Sequence, residues 1–397
     1  MSRKELLLLF VLAALQFCHI VDFMIVMPLG EKFMVDFAIG PTEFSWLVSV
    51  YAGAAFAASL ASAGFVDRFD RRTVLLVVHA GFTLGTLACG LLDSFYPLLA
   101  ARGITGAFGG LVATQVLAIV GDYFPYERRG RAMGIIMTAF SVASVVGVPI
   151  GINLAAWRGW PAPFLAVGAL AVVFGLLALW QVPSLRGHIA RAGERPTVGE
   201  LFASVAGNRN QVLALLFTVV LMLGHFSVIP FIATYMQLNL GLGDGELSLM
   251  YMIGGALTVF SLPLIGKLVD RFGPHRVFTV GSAATIAVIL ATTHLPAGYA
   301  LPLILVVTSC FFVASGGRTV PALTLVTSVV RPEQRGGFMS LRASFNQAGM
   351  GAASFVAGLL ITTGPGGEMV GYGTVGWLAS AMSVGAVALA WRLRAVD

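Results

Sequence analysis

The chain has 397 residues, of which 58% are hydrophobic and only 11% are charged, whereas soluble domains carry about 25% charged residues. This composition excludes an ordinary water-soluble fold and indicates a chain that lies in lipid. The formal net charge of +6 would suit a partner such as nucleic acid, but the positions of the basic residues, described below, exclude that interpretation.

Long apolar segments recur from one end of the chain to the other, each near the ~20 residues that a helix needs to cross a bilayer. We predict twelve transmembrane helices, over residues 6–30, 43–66, 73–92, 95–121, 132–157, 164–183, 211–235, 246–267, 276–295, 299–328, 337–361 and 371–393. The expected fold is all-α and integral to the membrane, with an N-terminal six-helix bundle (1–183), a cytoplasmic linker (184–210) and a C-terminal six-helix bundle (211–397). Within the linker, Thr197 is placed to cap a short surface helix.

Two polar loops occur twice in the chain, once in each half. Residues 67–72 read Asp-Arg-Phe-Asp-Arg-Arg, and residues 270–276 read Asp-Arg-Phe-Gly-Pro-His-Arg. A second pair of loops, residues 127–133 and 333–339, shares Glu, Arg, Gly and Met at corresponding positions. Such a repeat at half-chain spacing predicts two pseudo-symmetric bundles around a central cavity, which is the plan of a transporter.

The basic residues predict the orientation of the chain in the membrane. Of the 24 Lys and Arg, only Lys32 and Arg158 fall in loops on the side opposite the N-terminus, and Arg102, Arg318 and Arg342 fall within spans. The others lie on one side, as the positive-inside rule requires of the cytoplasmic face. We therefore expect a multi-pass protein of a bacterial-type cytoplasmic (inner) membrane, with both termini in the cytoplasm and with lipids, not nucleic acid, around it.

At these loops the chain resembles the major facilitator superfamily. The signature loop of that family reads roughly Gly-x-Leu-Ala-Asp-Arg-x-Gly-Arg-Arg, and residues 63–72 keep its Asp-Arg and Arg-Arg pairs while Ala63 and Asp70 replace both glycines. Two further stretches are similar to the family: Arg-Gly-Ile-Thr-Gly at 102–106, and residues 22–30, which look like the first span of bacterial proton-coupled efflux members.

The resemblance covers the whole chain and implies a secondary active transporter that works by alternating access. Within the family it points to twelve-span proton-coupled drug or sugar efflux members, including multidrug antiporters. Residues 147–151 read Gly-Val-Pro-Ile-Gly and look like the antiporter motif of that group. There Gly147, Pro149 and Gly151 would kink span 5 or permit close approach to a neighbouring helix, although ordinary packing of a Gly-rich membrane helix is the alternative.

The cytoplasmic loops predict a latch on the inner side. Asp67 ends span 2 and Asp122 ends span 4 at the same face, where either carboxylate can accept hydrogen bonds from nearby arginines. Such pairs would hold the inner side closed and break when it opens, although topology and helix capping alone would also place charges here. The predicted gate consists of Asp67, Arg68, Arg71, Arg72, Asp122, Asp270 and Arg271.

Asp22 is the only acidic residue well inside a predicted span, and a carboxylate at that depth is by default a functional hypothesis. Arg102 in span 4 lies at the same depth to within about a turn, so we expect the two side chains to face each other. Protonation of Asp22 or binding of substrate would weaken this pair; a fixed structural ion pair is the alternative. His19 lies on the same helical face and His225 is the pseudo-equivalent of Asp22 in the second half, so each imidazole can carry a proton near neutral pH or merely pack.

Arg318 lies in the middle of span 10, where flanking glycines and Pro321 loosen the helix. It is too deep to reach the interface comfortably, so we expect it to line the substrate cavity. Other polar residues of the spans can line the same cavity or join helices to one another, namely Asn346, Gln347, Tyr51, Gln115, Tyr235 and Tyr251.

Other classes of function fit the sequence less well. No zinc-protease, nucleophile-elbow or phosphate-loop motif occurs, so we expect neither an enzyme nor an ATP-driven pump, no metal, and no cofactor apart from the proton gradient as energy source. A membrane receptor or scaffold would not need a buried acid and base on facing spans. The expected protein is a monomer whose partners are protons and a small amphipathic or sugar-like molecule; three intramembrane arginines leave an organic-anion or lipid-like substrate as the alternative.

Overall fold

The computed structural model describes residues 1–62, 66–187, 189, 198–331 and 334–396, without the side chains of Asp67, Tyr126 and Val198. Within these residues the chain is almost entirely helical. The α-helices are α1 (Arg3–Ile25), α2 (Gly30–Asp36), α3 (Pro41–Ser62), α4 (Arg71–Leu91), α5 (Phe95–Tyr123), α6 (Tyr126–Val142), α7 (Val148–Arg158), α8 (Pro161–Gln181), α9 (Val198–Ala206), α10 (Arg209–Phe226), α11 (Ile229–Leu238), α12 (Asp244–Phe272), α13 (Pro274–Thr293), α14 (Leu301–Gly317), α15 (Thr319–Ser328), α16 (Arg335–Leu360) and α17 (Tyr372–Ala390). Shorter elements are 3-10 helices over Met27–Leu29 and Val66–Arg68, a π-helix over Ala143–Gly147, and an antiparallel pair of strands, β1 (Thr362–Thr363) and β2 (Met369–Val370).

Among the described residues, eleven helical stretches are long and apolar enough to cross a membrane by length and composition. They coincide with eleven of the predicted spans and cover Arg3–Asp36, Pro41–Ser62, Arg71–Leu91, Phe95–Tyr123, Glu127–Arg158, Pro161–Gln181, Arg209–Leu238, Asp244–Phe272, Pro274–Thr293, Leu301–Ser328 and Tyr372–Ala390. The other predicted span, 337–361, forms α16, a helix of 26 residues. Its Arg342, Asn346 and Gln347 lower its hydropathy.

Several helix boundaries follow from local sequence. Ser2 caps α1, because its hydroxyl accepts from the Glu5 N–H at 3.2 Å while the Glu5 carboxylate accepts from the Ser2 N–H at 2.7 Å. Gly273 takes a positive φ of 80° between α12 and α13, a conformation that favours glycine. Arg318 separates α14 from α15, at the point where the sequence predicts a loosened helix. The short helix α9 lies in the predicted linker, and its predicted cap, Thr197, lies outside the described residues.

The chain forms two compact units. The first unit comprises Met1–Val26 and Val50–Glu200, and the second comprises Met27–Ser49 and Leu201–Asp397. In the first, α4 packs against α5 and α8, and α1 packs against α8, around an apolar core. In the second, α10 packs against α16 and α17, and α12 packs against α14.

The short segment Met27–Ser49 belongs with the second unit through specific contacts. Lys32 Nζ lies 2.9 Å from Asp244 Oδ2 at the start of α12. The ring of Phe44 meets that of Phe231 in α11 edge to face, with centroids 5.6 Å apart. These contacts, together with hydrogen bonds between α3 and α16, fasten the segment to helices that begin far along the chain.

Candidate functional site

A fully buried ion pair joins α1 to α5 in the first unit. Asp22 and Arg102 are both 0% exposed, and Arg102 Nη1 donates to Asp22 Oδ2 at 2.8 Å and to the main-chain carbonyl of Asp22 at 3.4 Å. Thr86 of α4 donates its hydroxyl to Asp22 Oδ1 at 3.1 Å. Asp22 and Arg102, which were predicted to face each other because they lie at similar depths in their spans, are therefore in direct contact. A third helix, α4, supplies a further hydrogen-bond donor to the carboxylate.

Aromatic rings cover this ion pair. The guanidinium carbon of Arg102 lies 4.4 Å from the ring centroid of Tyr51 and 5.9 Å from that of Phe164, within the range of cation–π attraction. Tyr51 was predicted to line a cavity, and it is fully buried against the ion pair. Within the described part of the chain, the Tyr51 hydroxyl and Nε and Nη2 of Arg102 have no hydrogen-bond partner. The cluster therefore holds donors that are free for further bonds.

His19 lies one turn before Asp22 on α1. Its ring centroid is 6.4 Å from that of Tyr51 and 6.2 Å from that of Phe82. Neither of its ring nitrogens has a hydrogen-bond partner among the residues that the structure describes. His19 therefore borders the buried cluster without bonding to the ion pair.

The motif glycines lie where the π-helix and α7 pack against α1. A Cβ on Gly147 would overlap Cγ2 of Val21, and a Cβ on Gly151 would overlap Cδ1 of Ile25. Pro149 lies in the first turn of α7, where the missing N–H is least costly. Both glycines thus permit a close approach to α1, the helix that carries the buried carboxylate.

At the end of the first unit where α4 begins and α5 ends, one of the predicted latch pairs is present. Arg71 Nε lies 2.9 Å from Asp122 Oδ2, which joins the start of α4 to the end of α5. Arg72 donates instead to the main-chain carbonyl of Leu179, and Arg68 is exposed. The side chain of Asp67 lies outside the part of the chain that the structure describes.

The second copy of the loop, at the end of α12, is more open. Asp270 and Arg271 are both exposed, and the guanidinium carbon of Arg271 lies 5.1 Å from the ring centroid of Phe272. Neither residue forms an ion pair with any of the described residues. The two copies of the predicted gate therefore differ in their contacts despite their similar sequences.

Asp70, which replaces a glycine of the family's loop, ties the loop before α4 to the segment after α8. Its carboxylate accepts from the N–H groups of Arg72 at 2.9 Å and Leu185 at 3.0 Å, from the Ser184 hydroxyl, and from Arg186 Nε at 3.3 Å. Burial by itself would raise the pKa of Asp70, but these donors outweigh it and lower the pKa to about 2.

We expect Asp70→Ala to destabilise the protein by about 1–2 kcal/mol, because α4 loses its cap. The folded-state pKa of about 2 lies below the unfolded value of about 3.9. The stabilisation by the carboxylate is therefore complete above that unfolded value and is lost as the pH falls through the folded one. Thermal unfolding in detergent at pH 7 tests this, with Asp93→Ala, which removes an exposed loop carboxylate, as the control. Equal melting temperatures for the two variants would contradict the role of Asp70.

A second buried cation lies in the second unit. Arg318 is 1% exposed; its Nη1 donates to Ser383 Oγ at 2.9 Å, and its Nη2 lies 3.4 Å from His225 Nδ1. From the sequence, His225 was predicted to carry a proton or merely to pack, and Arg318 was predicted to line the substrate cavity. The structure places them side by side, with a serine of α17 as the third member.

The remaining predicted cavity residues lie in local contacts within helices or between them. Tyr235 donates its hydroxyl to the carbonyl of Leu295 at 2.8 Å, and the Asn346 amide lies 3.3 Å from Met350 Sδ. Gln115, Tyr235 and Tyr251 are buried, and Asn346 and Gln347 are half-buried. Within the described ranges, no group of three or more His, Cys, Asp or Glu could hold a metal ion.

Sequence reasoning missed two hydroxyl partners of the buried charges, Thr86 and Ser383. Thr86 lies about as far from the outer end of its predicted span as Asp22 does, so the comparison of depths that paired the charges could have found it. Ser383 has no comparable signal, because serine and threonine recur throughout the spans and usually bond to their own helix.

Known proteins match the chain over most of its length. The Major Facilitator Superfamily description matches residues 12–354 and 214–397. A multi-drug resistance efflux pump PmrA homolog of Lactococcus lactis subsp. lactis is 24% identical over 301 residues, which are 72% of this chain and 72% of that protein. A gallate transporter of Pseudomonas putida is 27% identical over 279 residues, 62% of this chain and 60% of that protein.

Solved structures agree with the family match. The crystal structure of a bacterial homolog of the human lysosomal transporter Spinster has a TM-score of 0.78 and 17% identity, and the match covers 99% of this chain and 97% of that one. The chain therefore belongs to the major facilitator superfamily. It is a multi-pass membrane transporter with the all-helical fold of that family, and it is not an enzyme.

Proposed function

We propose that this transporter is a proton-coupled exporter, an antiporter that moves a small amphipathic or sugar-like molecule out across the cytoplasmic (inner) membrane. It works by alternating access as a monomer, with twelve transmembrane helices in two six-helix bundles and both termini in the cytoplasm. The proton gradient supplies the energy, and no cofactor takes part.

The observation that carries this proposal is the fully buried Asp22–Arg102 pair, with 2.8 Å between the two charged groups. In lipid, each charge is tolerated because the other neutralises it. Protonation of Asp22 removes one charge and leaves Arg102 without its counter-charge, so the protonated and unprotonated forms favour different arrangements of α1 and α5. A proton that changes the preferred arrangement is what coupled transport requires.

The surroundings of the pair support a site that exchanges partners. The free donors on Arg102 and the Tyr51 hydroxyl can bind a polar group of a substrate when the carboxylate is protonated. The ring of Tyr51, 4.4 Å from the guanidinium carbon, keeps part of the attraction to the cation without a carboxylate. Substrate and proton would then act on one cluster.

The ends of the helices offer contacts that can break as access alternates. On the cytoplasmic side, Arg71–Asp122 fixes the inner ends of α4 and α5. On the opposite side, Lys32–Asp244 fastens the segment after α1 to α12, and both of its side chains are about one-quarter exposed. A partly exposed ion pair such as Lys32–Asp244 contributes about 0–1 kcal/mol, so breaking that contact has a small cost.

The relatives support a small organic substrate. One is named as a multi-drug resistance efflux pump and another as a gallate transporter. For this chain, proton coupling is carried by the buried Asp22–Arg102 pair.

Uptake into proteoliposomes with an acidic lumen tests the proposal. The compounds are ethidium as a cation, a thio-β-galactoside as a neutral sugar and 2-naphthoate as an anion, with protein-free liposomes as the control for passive distribution. We expect at least one compound to accumulate above the control level, and the accumulation to vanish when nigericin collapses the pH gradient. Accumulation that is indifferent to nigericin would exclude proton coupling.

A further inference from the structure

The buried cation of the second unit differs from that of the first in one respect. Arg102 has a carboxylate at 2.8 Å, whereas no carboxylate of the described residues lies within ion-pair distance of Arg318. The guanidinium of Arg318 is 1% exposed and stays charged at any physiological pH. An isolated buried cation is costly in a membrane and usually marks a functional site.

The partners of Arg318 leave its positive charge uncompensated. Ser383 is neutral, and its hydroxyl is already committed as a donor to the Ala379 carbonyl at 2.8 Å. His225 Nδ1 accepts only when it is unprotonated, and the 3.4 Å distance to Nη2 of Arg318 makes that bond weak. Nε of Arg318 has no partner among the described residues.

The packing around this cluster is specific. Gly224 precedes His225 on α10, and a Cβ there would lie 3.1 Å from the Ala379 carbonyl oxygen and 3.2 Å from Ser383 Oγ. The glycine thus lets α10 approach α17 and places the imidazole beside the guanidinium. His225 itself is half-buried, whereas Arg318 is almost completely buried.

We infer that Arg318, His225 and Ser383 form a binding site for the carboxylate of an organic monoanion. One guanidinium supplies one positive charge, and its planar fork matches a carboxylate through two parallel N–H···O bonds. The weak bond to His225 is the one that an anion replaces, with Nη2 and the unpartnered Nε as donors. That the bound anion is also the transported substrate rests on the transport function proposed above. Binding of the anion at this site does not depend on that function.

Calorimetric titration of the purified full-length protein in detergent tests the inference, with three probes of the same shape: 2-naphthoate, 2-naphthamide and 2-naphthamidinium. We expect the anion to bind and the neutral and cationic probes not to bind. Arg318→Gln is expected to weaken naphthoate binding at least about tenfold, because a charge-assisted hydrogen-bonded pair is lost. Ser383→Ala leaves the charge in place and is expected to weaken binding by a smaller factor.

Arg276→Gln is the matched control, because it removes an exposed arginine at the start of α13, and it is expected to bind naphthoate as the wild type does. Equal binding of naphthoate and naphthamide by the wild type, or no naphthoate binding, would overturn the inference whether or not Arg318→Gln folds. Binding in Arg318→Gln equal to that of the control would also overturn it. Competition by chloride, with gluconate as the reference salt, would assign the site to inorganic anions and overturn the carboxylate assignment.

The two proposals fail separately. The titration needs neither a membrane nor a pH gradient. Charge-selective binding without gradient-driven uptake would refute the proposed antiport and keep the anion site. Gradient-driven uptake without charge-selective binding would refute the anion site and keep the proposed antiport.

Discussion

Replacing Asp22 with Asn is expected to destabilise the folded protein by about 3–5 kcal/mol, because the buried guanidinium of Arg102 loses its counter-charge. Arg102→Gln is expected to cost less at pH 7. A carboxyl left alone in an apolar site can take up a proton and become neutral, whereas a guanidinium cannot lose one. Equilibrium unfolding in mixed micelles measures both variants.

The double variant Asp22→Asn, Arg102→Gln separates the ion pair from other effects of the substitutions. We expect it to be more stable than Asp22→Asn alone, because two neutral amides can bond to each other without a buried charge. The coupling energy then follows from the double-mutant cycle. Additive losses in the two single variants would contradict the view that each charge depends on the other.

Gly147→Ala and Gly151→Ala are each expected to destabilise the protein by about 1–3 kcal/mol through overpacking, although alanine is by nature the better helix former by about 1 kcal/mol. The new methyl groups would overlap Val21 and Ile25 and push α1 away from its neighbours. We expect coupled transport to fall as well, because the displaced helix carries the buried carboxylate.

Gly134→Ala is the control for helix propensity. Gly134 lies on α6, and a Cβ added there has no neighbour within 4 Å. Thermal unfolding in one detergent compares the three glycine variants, and the melting temperature of Gly134→Ala is expected to equal or exceed that of the wild type. A rise of similar size in Gly147→Ala would show that α1 does not need the close approach.

The site residues that can be predicted from the sequence are the charged residues that lie inside predicted membrane spans. Asp22 and Arg102 stand out because lipid excludes unpaired charge, and their depths in two spans are enough to pair them. Residues 147–151 are recognisable for a different reason, because they resemble a motif of the family's drug and sugar antiporters. The depth of a residue in its span can be estimated from the sequence without knowledge of rotation about helix axes.

Contacts that depend on helix rotation or on loop paths are beyond such reasoning. Depth alone does not show that Arg318 and His225 are neighbours, because the faces that their helices present depend on packing. Asp70 reads in the sequence as a departure from a family motif, yet its carboxylate gathers donors from the segment after α8. In the sequence, Lys32 is a cation in a loop with no evident partner, whereas in the structure it forms an ion pair with Asp244.

The spans illustrate the same division. In the part of the chain that the structure describes, eleven helical stretches are recognisable by hydropathy. The 337–361 segment was predicted as a span from its long apolar run, although it carries Arg342, Asn346 and Gln347. The helix α16 extends over Arg335–Leu360 and packs against α10, which is consistent with a polar helix shielded by its neighbours.

The measurement that tests the central claim most directly is proton flux into liposomes that carry the purified protein, triggered by a transported compound under an imposed pH gradient. Wild type is compared with Asp22→Asn and with Asp22→Asn, Arg102→Gln, each first shown to be folded and monodisperse. The account predicts compound-triggered proton movement in the wild type and none in either variant. Equal flux in all three proteins would contradict it and would move the proton site to His225 or His19.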